Sequence, residues 1–408
     1  MLEDFRGIPS SSKMIILGSF FSQLAVGTVL TDLAFFLTTV RHINAVFAGL
    51  LFTVEGISSV VFSIPLGIIS DAYGRKKFLL LGNGAIGVAT IMLAITSSQP
   101  LLLLGGFLAG ISEASFTASG GALLADTAGE QKRTPTFALS SLAGNLAFAS
   151  GGFLLYVLAP LVAFGFTPVQ AHVILYVTLS ALTFASTVFF VRVEEVRIPR
   201  QRVTGARRLI LSSGTRSILT KYVVANVFVA FGAGLVVPLM SQWFEYRYGI
   251  PDSVSGPILG ISNLMLAVST LAAPAVARRL GLVRTIVYTQ AASTVFMVLT
   301  PIPNQYQVAG GVYIVRAFLM NVSSPLSQSL IMGLVPHDER GAASGISSAF
   351  WRTPNAISTY PGSALMKEGY LSAPFFIASG LYLISISLFY VWFRGSKLPE
   401  EVKGRSNI

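Results

Sequence analysis

Apolar residues along this chain gather into long runs separated by short polar stretches. Twelve runs stand out, at roughly 14–40, 44–70, 77–97, 100–125, 135–160, 170–192, 218–244, 252–277, 283–302, 306–334, 341–366 and 371–394. Each reaches or approaches the about 20 predominantly apolar residues that a membrane-crossing helix needs. Connections as short as Ser97-Ser98-Gln99-Pro100 force consecutive helices to run antiparallel. The pattern predicts an all-α integral membrane protein with twelve transmembrane helices.

The cations give these helices a direction. With both termini on the cytoplasmic side, 23 of the 28 Lys and Arg fall in cytoplasmic segments. Only Arg41, Arg247 and Lys367 fall outside, while Arg316 and Arg352 lie within runs. Cytoplasmic loops carry such an excess in membrane proteins. The longest polar stretch, about 193–217, is rich in Arg and divides the runs six and six. The expected organisation is an N-terminal six-helix bundle over 1–192, a basic cytoplasmic linker over 193–217 and a C-terminal six-helix bundle over 218–408. The linker either lies on the anionic inner leaflet or is a solvated tether.

Composition narrows the function classes. The chain of 408 residues is 53% hydrophobic and 11% charged, with a mean hydropathy of +0.71. A soluble domain usually carries about 25% charged residues. The net charge of +11 invites a nucleic-acid reading. The placement of the cations between apolar runs argues against it. Without cysteine there is no disulfide, thiolate metal site or Cys nucleophile. The three histidines, His42, His172 and His337, are far apart in sequence, so no metal site is expected. No cleavable leader is read at the N-terminus, where Glu3, Asp4, Arg6 and Lys13 precede the first run. Gly82, Gly84 and Gly87 form a Gly-x-Gly-x-x-Gly string inside an apolar run with no strand before it. Helix packing explains that string better than a dinucleotide. No Walker A string occurs, and no nucleophile–base pair accompanies the acids. An enzyme is not expected, and neither is a cofactor.

Residues 67–77 read Gly-Ile-Ile-Ser-Asp-Ala-Tyr-Gly-Arg-Lys-Lys between two apolar runs. This loop resembles the signature after the second helix of the major facilitator superfamily, Gly-x-x-x-Asp-x-x-Gly-Arg-Lys/Arg. Gly67, Asp71, Gly74, Arg75 and Lys76 fit it. The likeness extends to the loops holding Asp126 and Arg133, and Arg340. It implies the major facilitator fold, two pseudo-symmetric six-helix bundles, with these residues as a cytoplasmic gate and Asp126 as a partner for Arg75. An internal repeat accords with it. An offset of 207 maps Asp71-Ala-Tyr-Gly74 onto Arg278-Arg-Leu-Gly281 and Gln131-Lys-Arg133 onto Asp338-Glu-Arg340. Gly144, Gly151 and Gly152 bear a faint likeness to the Gly-Pro motif of drug/proton antiporters, with Gly152 where the Pro should be.

Charges inside the runs carry most of the functional reading. An ionised group in a span costs about 2.5–3.5 kcal/mol on insertion scales, so few persist without use. Asp32, Glu55, Glu113, Arg316 and Arg352 all lie away from the run ends. The resemblance implies that they converge on a central cavity near the midplane. A carboxylate in a low-dielectric cavity holds its proton more tightly than in water. Asp32 and Glu113, then Glu55, are therefore the expected proton-coupling sites. Guanidinium forks match carboxylate and phosphate, so Arg316 and Arg352 are expected to bind substrate. Alternatively, these charges form a salt-bridge network between the halves. Phe35, Phe36, Phe116, Tyr313 and Trp351 offer an apolar lining, and Asn355 a hydrogen-bonding group. The expected function is secondary active transport by alternating access, as proton-coupled antiport (multidrug efflux) of amphipathic compounds. A proton-coupled symporter importing an organic anion on Arg316 and Arg352 is the alternative. The expected partners are a small-molecule substrate, protons and the lipid bilayer, with no nucleic acid. A multi-pass monomer in the plasma membrane is the habit of the family.

Overall fold

A computed structural model describes residues 7–195, 211–336 and 339–395; within these ranges the side chains of residues 130, 131, 133, 134 and 340–342 lie outside the description. The described residues form twelve long helical segments and no strand. They are α1 (Ser10–Val40), α2 (Ala45–Tyr73), α3 (Arg75–Ile95), α4 (Gln99–Gly129), α5 (Pro135–Ala163), α6 (Pro168–Val191), α7 (Ser213–Tyr248), α8 (Asp252–Leu280), α9 (Leu282–Leu299), α10 (Tyr306–Leu334), α11 (Arg340–Lys367) and α12 (Ala373–Phe393). Ten are long and apolar enough to cross a membrane. The remaining two, α10 and α11, are long enough at 29 and 28 residues. Arg316, Asn321, Arg352, Asn355 and many Ser and Thr make them more polar.

Local chemistry starts and stops these helices. Asn44 caps α2 by accepting from the Val46 amide at 2.9 Å. Thr167 and Gln170 form a reciprocal capping box on α6, with Pro168 in its first turn. Ser212 accepts from the Thr215 amide at the start of α7. Gly74, at φ 108°, lets the chain turn from α2 into α3. Gly281, its counterpart in the internal repeat, is at φ 83° and opens α9 in the same way. The duplication is therefore present in the backbone. Within α1 and α4 the helix widens to π-turns at Phe36–Val40 and Phe116–Gly120. Such turns recur at functional positions.

The chain divides into two compact units. Unit 1 comprises Met1–Ile198, Pro238–Leu264 and Thr359–Glu368; unit 2 comprises Pro199–Val237, Met265–Ser358 and Gly369–Ile408. Segments 238–264 and 359–368 thus belong with α1–α6, although they fall after residue 218. In unit 1, α1 packs on α5 and α6, α2 on α4, and α3 on α4 and α6. In unit 2, α7 packs on α12, and α9 on α10 and α12.

Polar contacts join the helices of each unit. Asn83 of α3 donates to the Thr183 carbonyl and Thr187 hydroxyl of α6, and accepts from Ser22 of α1. Gln290 of α9, the repeat counterpart of Asn83, donates to Ser323 of α10 at 3.0 Å. Small residues permit the closest crossings. A Cβ at Gly151 of α5 would strike the α1 backbone at Gly27 and Thr28. One at Gly84 of α3 would meet nothing within 4 Å. Gly151→Ala is therefore expected to destabilise the protein by about 1–3 kcal/mol through overpacking. Gly84→Ala should leave it unchanged or more stable by about 0.5–1 kcal/mol. Thermal unfolding of the two variants in detergent checks the contrast.

Candidate functional site

A buried polar cluster forms where α1, α6 and α8 meet inside unit 1. It lies toward the end of the unit that bears the 41–44 turn. Asp32 is 0% exposed. Its Oδ2 accepts from the Tyr176 hydroxyl at 2.9 Å and lies 3.6 Å from His172 Nε2. Asp252, the first residue of α8, brings its own Oδ2 to 2.5 Å from the same Nε2. Its Oδ1 accepts from the Ser253 amide. Asp32 Oδ1 has no hydrogen-bond partner among the described residues.

The start of α6 fixes the imidazole. His172 Nδ1 lies 2.7 Å from the Pro168 carbonyl oxygen, one turn earlier. A carbonyl oxygen can only accept, so Nδ1 carries a proton. Nε2 then faces two carboxylates, and Nε2 and Asp252 must share another proton between them. His172 and Tyr176 are four residues apart on one face of α6, so a single helix face presents both groups to Asp32. The Phe36 ring stacks on His172 with centroids 4.8 Å apart and planes 14° from parallel. The Arg41 guanidinium lies over that ring at 5.2 Å. Arg41 also donates to Ser97 Oγ and the Ala94 carbonyl, tying the end of α1 to the end of α3.

Asp32, His172 and Asp252 offer ligand atoms within 4.8 Å of one another, a grouping that a metal ion can use. Two ligands each about 2.0 Å from a tetrahedral ion stand about 3.3 Å apart. The Nε2–Oδ2 separation of 2.5 Å is a hydrogen-bond distance and fits a proton.

A second cluster in unit 1 lies at the opposite end of the helices. Arg75 donates to Asp71 Oδ1 from Nε at 2.8 Å and from Nη2 at 2.6 Å, and to Asp126 Oδ2 from Nη1 at 2.5 Å. Its backbone amide, at the start of α3, donates to Glu195 Oε1 at 2.5 Å. Lys76 Nζ donates to the Val191 and Val193 carbonyls at the end of α6. Carboxylates near a helix N-terminus and a cation near a C-terminus are both favourable placements. Gly67 leaves ordinary contact space toward Ala118. Backbone at Arg133 and Arg340 is helical, and their side chains lie outside the description.

In unit 2, Arg316 of α10 is buried and donates from Nη2 to the Tyr382 hydroxyl at 2.6 Å. Its guanidinium lies over the rings of Tyr313 and Tyr382 at 5.8 and 5.7 Å. Asn355 donates to the Ala230 carbonyl at 3.2 Å. Arg352 is half-buried and Trp351 partly exposed on α11. Glu55 and Glu113, half-buried in unit 1, both have interaction partners. Phe35 is buried, and Phe116 packs on Phe190 at 6.2 Å. Glu339, in the loop before α11, accepts from Thr215 and from the Ser212 amide and hydroxyl. These hydrogen bonds hold its carboxyl below the usual carboxylate range.

Of the sequence-derived sites, Asp32, Glu55 and Glu113 belong to unit 1 and Arg316 and Arg352 to unit 2. His172, Tyr176 and Asp252 were not expected at the site, nor Glu195 at the other end. The only trace in the sequence was a histidine one turn after a helix-opening proline.

Helices of this length and polarity mark a multi-pass membrane protein by class. The Major Facilitator Superfamily model matches residues 15–359 and 224–407, and the chain belongs to that family. Multidrug resistance protein MdtG of Dickeya zeae is 23% identical over 398 residues, covering 92% of each chain. Multidrug resistance protein 2 of Bacillus subtilis is 20% identical over 393 residues, covering 93% of this chain and 94% of its own. Among solved structures, a mutant of the nucleoside transporter NupG superposes with a TM-score of 0.77 at 14% identity, covering 94% of this chain and 100% of its own. At that identity the likeness shows the fold alone. The family is one of transporters, not enzymes.

Removing the imidazole should be costly. His172→Ala leaves Asp32 and Asp252 facing each other in a dry site, a loss of about 3–5 kcal/mol. Adding Asp252→Asn to that variant should restore part of it. Apparent unfolding temperatures of the single and double variants check this.

Proposed function

We propose that this chain exports small amphipathic compounds in exchange for protons, with the Asp32–His172–Asp252 cluster as its proton site. One observation carries the reading: a fully buried carboxylate faces an imidazole whose outer nitrogen already shares a proton with a second carboxylate. Adding or removing one proton there changes which of the three groups are charged. In an apolar interior that change is large in energy, so it can drive a conformational step.

The proposed orientation places both termini and the Arg75 cluster in the cytoplasm. The proton site then lies toward the outer face. Asp252 stands at the start of α8, so its bond to His172 fastens α8 to α1 and α6. Protonation of Asp252 from outside weakens that charge-assisted bond. Departure of the proton toward the cytoplasm restores it. Arg75, bridging Asp71 and Asp126, with Lys76, Gly67 and Gly74, forms the proposed gate at the cytoplasmic end, and Arg133 and Arg340 belong to that gate by motif. Glu113 and Glu55 are further proton sites on the same carboxylate logic. Phe35, Phe116, Trp351 and Asn355 contribute the proposed apolar lining and a polar contact for the solute. Phe36 serves the proton site through its stacking on His172.

The second reading, proton-coupled uptake of an organic anion, is favoured by the buried guanidinium of Arg316. The direction of flux separates the two. In proteoliposomes with an imposed pH gradient, proton entry should drive solute the opposite way. Asp32→Asn and Asp252→Asn should reduce the gradient-driven component to the rate without a gradient. Full coupled flux in both Asp32→Asn and Glu113→Gln would overturn the reading, and solute moving with the proton would select uptake.

A further inference from the structure

The buried cation of unit 2 has a different need from the acids of unit 1. Arg316 is 5% exposed. No carboxylate lies within ion-pair distance of it among the described residues. Its Nε is buried and has no hydrogen-bond partner among them. Nη2 is engaged by a neutral oxygen, the Tyr382 hydroxyl. Two tyrosine rings add partial compensation through their π faces. A guanidinium keeps its proton at any working pH, so it cannot relieve its burial by becoming neutral. A buried charge without a counter-ion is costly, and an anion removes that cost.

The geometry points to Arg316, Tyr382 and Tyr313 as the recognition site for an anionic head group, so that the solute moved by this transporter is an amphipathic carboxylate. This rests on the transport reading above and deepens it by naming the substrate class. The Nε and Nη2 hydrogens lie on one edge of the guanidinium, the edge that meets a carboxylate in bidentate fashion. Tyr382 accepts from Nη2 and so keeps its own O–H to donate. Nε–H and the tyrosine O–H therefore supply two donors for one carboxylate. The flanking rings of Tyr313 and Tyr382 suit an aromatic or aliphatic body.

Depth favours a free solute over a lipid head group. Arg316 lies four residues from the midpoint of the 29-residue α10, about 6 Å along the helix, well inside the ~30 Å hydrocarbon thickness. A cationic amphipath is disfavoured by the same guanidinium.

The test uses the full chain in nanodiscs of zwitterionic lipid. The probes are 1-naphthoate, the neutral 1-naphthalenemethanol and the cationic 1-naphthylmethylammonium, with binding read by calorimetry and unfolding temperature. The wild type should bind naphthoate at least about ten-fold more tightly than the alcohol, a difference of about 1.4 kcal/mol. Arg316→Lys keeps the charge but loses the fork and should erase most of that preference. Tyr382→Phe keeps the packing and should weaken naphthoate several-fold while leaving the alcohol unchanged. Gly84→Ala, whose added methyl meets nothing within 4 Å, should bind naphthoate as the wild type does.

Equal affinity of the wild type for naphthoate and the alcohol would overturn the inference, with no variant needed. So would undiminished naphthoate preference in both Arg316→Lys and Tyr382→Phe. Wild-type naphthoate flux that ignores an imposed pH gradient, with the naphthoate preference intact, would instead count against the proton reading alone.

Discussion

Neutralising charge away from water is the constraint on which this structure turns. Asp32 meets it in the most severe form, since it is fully buried and one of its oxygens has no partner among the described residues. Hydrophobic residues around it supply packing but no hydrogen bond. Compensation comes from α6, which presents Tyr176 as a neutral donor and His172 as a proton carrier on one face. The orientation of that imidazole descends from the capping of α6. Thr167 and Gln170 start the helix, Pro168 occupies its first turn, and the Pro168 carbonyl accepts from Nδ1. A local cap thus determines which nitrogen faces the acids.

The fold was largely legible because its cause is one-dimensional. Twelve apolar runs must become helices once no water is available to the backbone, and short connections leave few ways to join them. Even there, α10 and α11 are less apolar than a span usually is. Arg316, Asn321, Arg352 and Asn355 lower their hydropathy, and length and family pattern carried those assignments. The site was legible only in part. Asp32 and Arg316 stand out as charges in apolar surroundings, which is a local property. Asp252 does not, because it begins its run and reads as an ordinary first-turn acid. His172 reads as a lone histidine near a helix start. Its meaning comes from Asp32 and Asp252, which belong to helices far before and far after it in the chain. Spacing rules over such separations do not exist. Glu195 went unread for the same reason, since its partner is the backbone amide of Arg75.

The internal duplication links the two buried charges. Gly74 and Gly281 open corresponding helices, and Asn83 and Gln290 hold corresponding positions in the repeat. Tyr176 and Tyr382 fall within one position of the same offset, on α6 and α12, the last helices of the two halves. In unit 1 the tyrosine hydroxyl donates to a carboxylate; in unit 2 its counterpart accepts from a guanidinium. A phenol is suited to both tasks, since it donates and accepts while staying uncharged. One region of the scaffold can therefore serve opposite charges after duplication.

That equivalence bears on how a transporter can keep charge in its interior without fixing it there. A lysine or an aspartate opposite each buried charge would neutralise it permanently and leave nothing for a proton or a solute to do. A tyrosine compensates only partly. Among the described residues, Asp32 retains an oxygen without a partner, and Arg316 an Nε without one. On the proposed reading each site is stable enough to fold and incomplete enough to respond, the first to a proton and the second to an anion. Because α10 and α12 hold Arg316 within unit 2, and α1, α6 and α8 hold Asp32 within unit 1, the two ligands need share no atom. The helices α7, α8 and α11 each contribute residues to both units. Of these, α8 carries Asp252 at its first residue, so the proposed proton site would act directly on an element shared by both units.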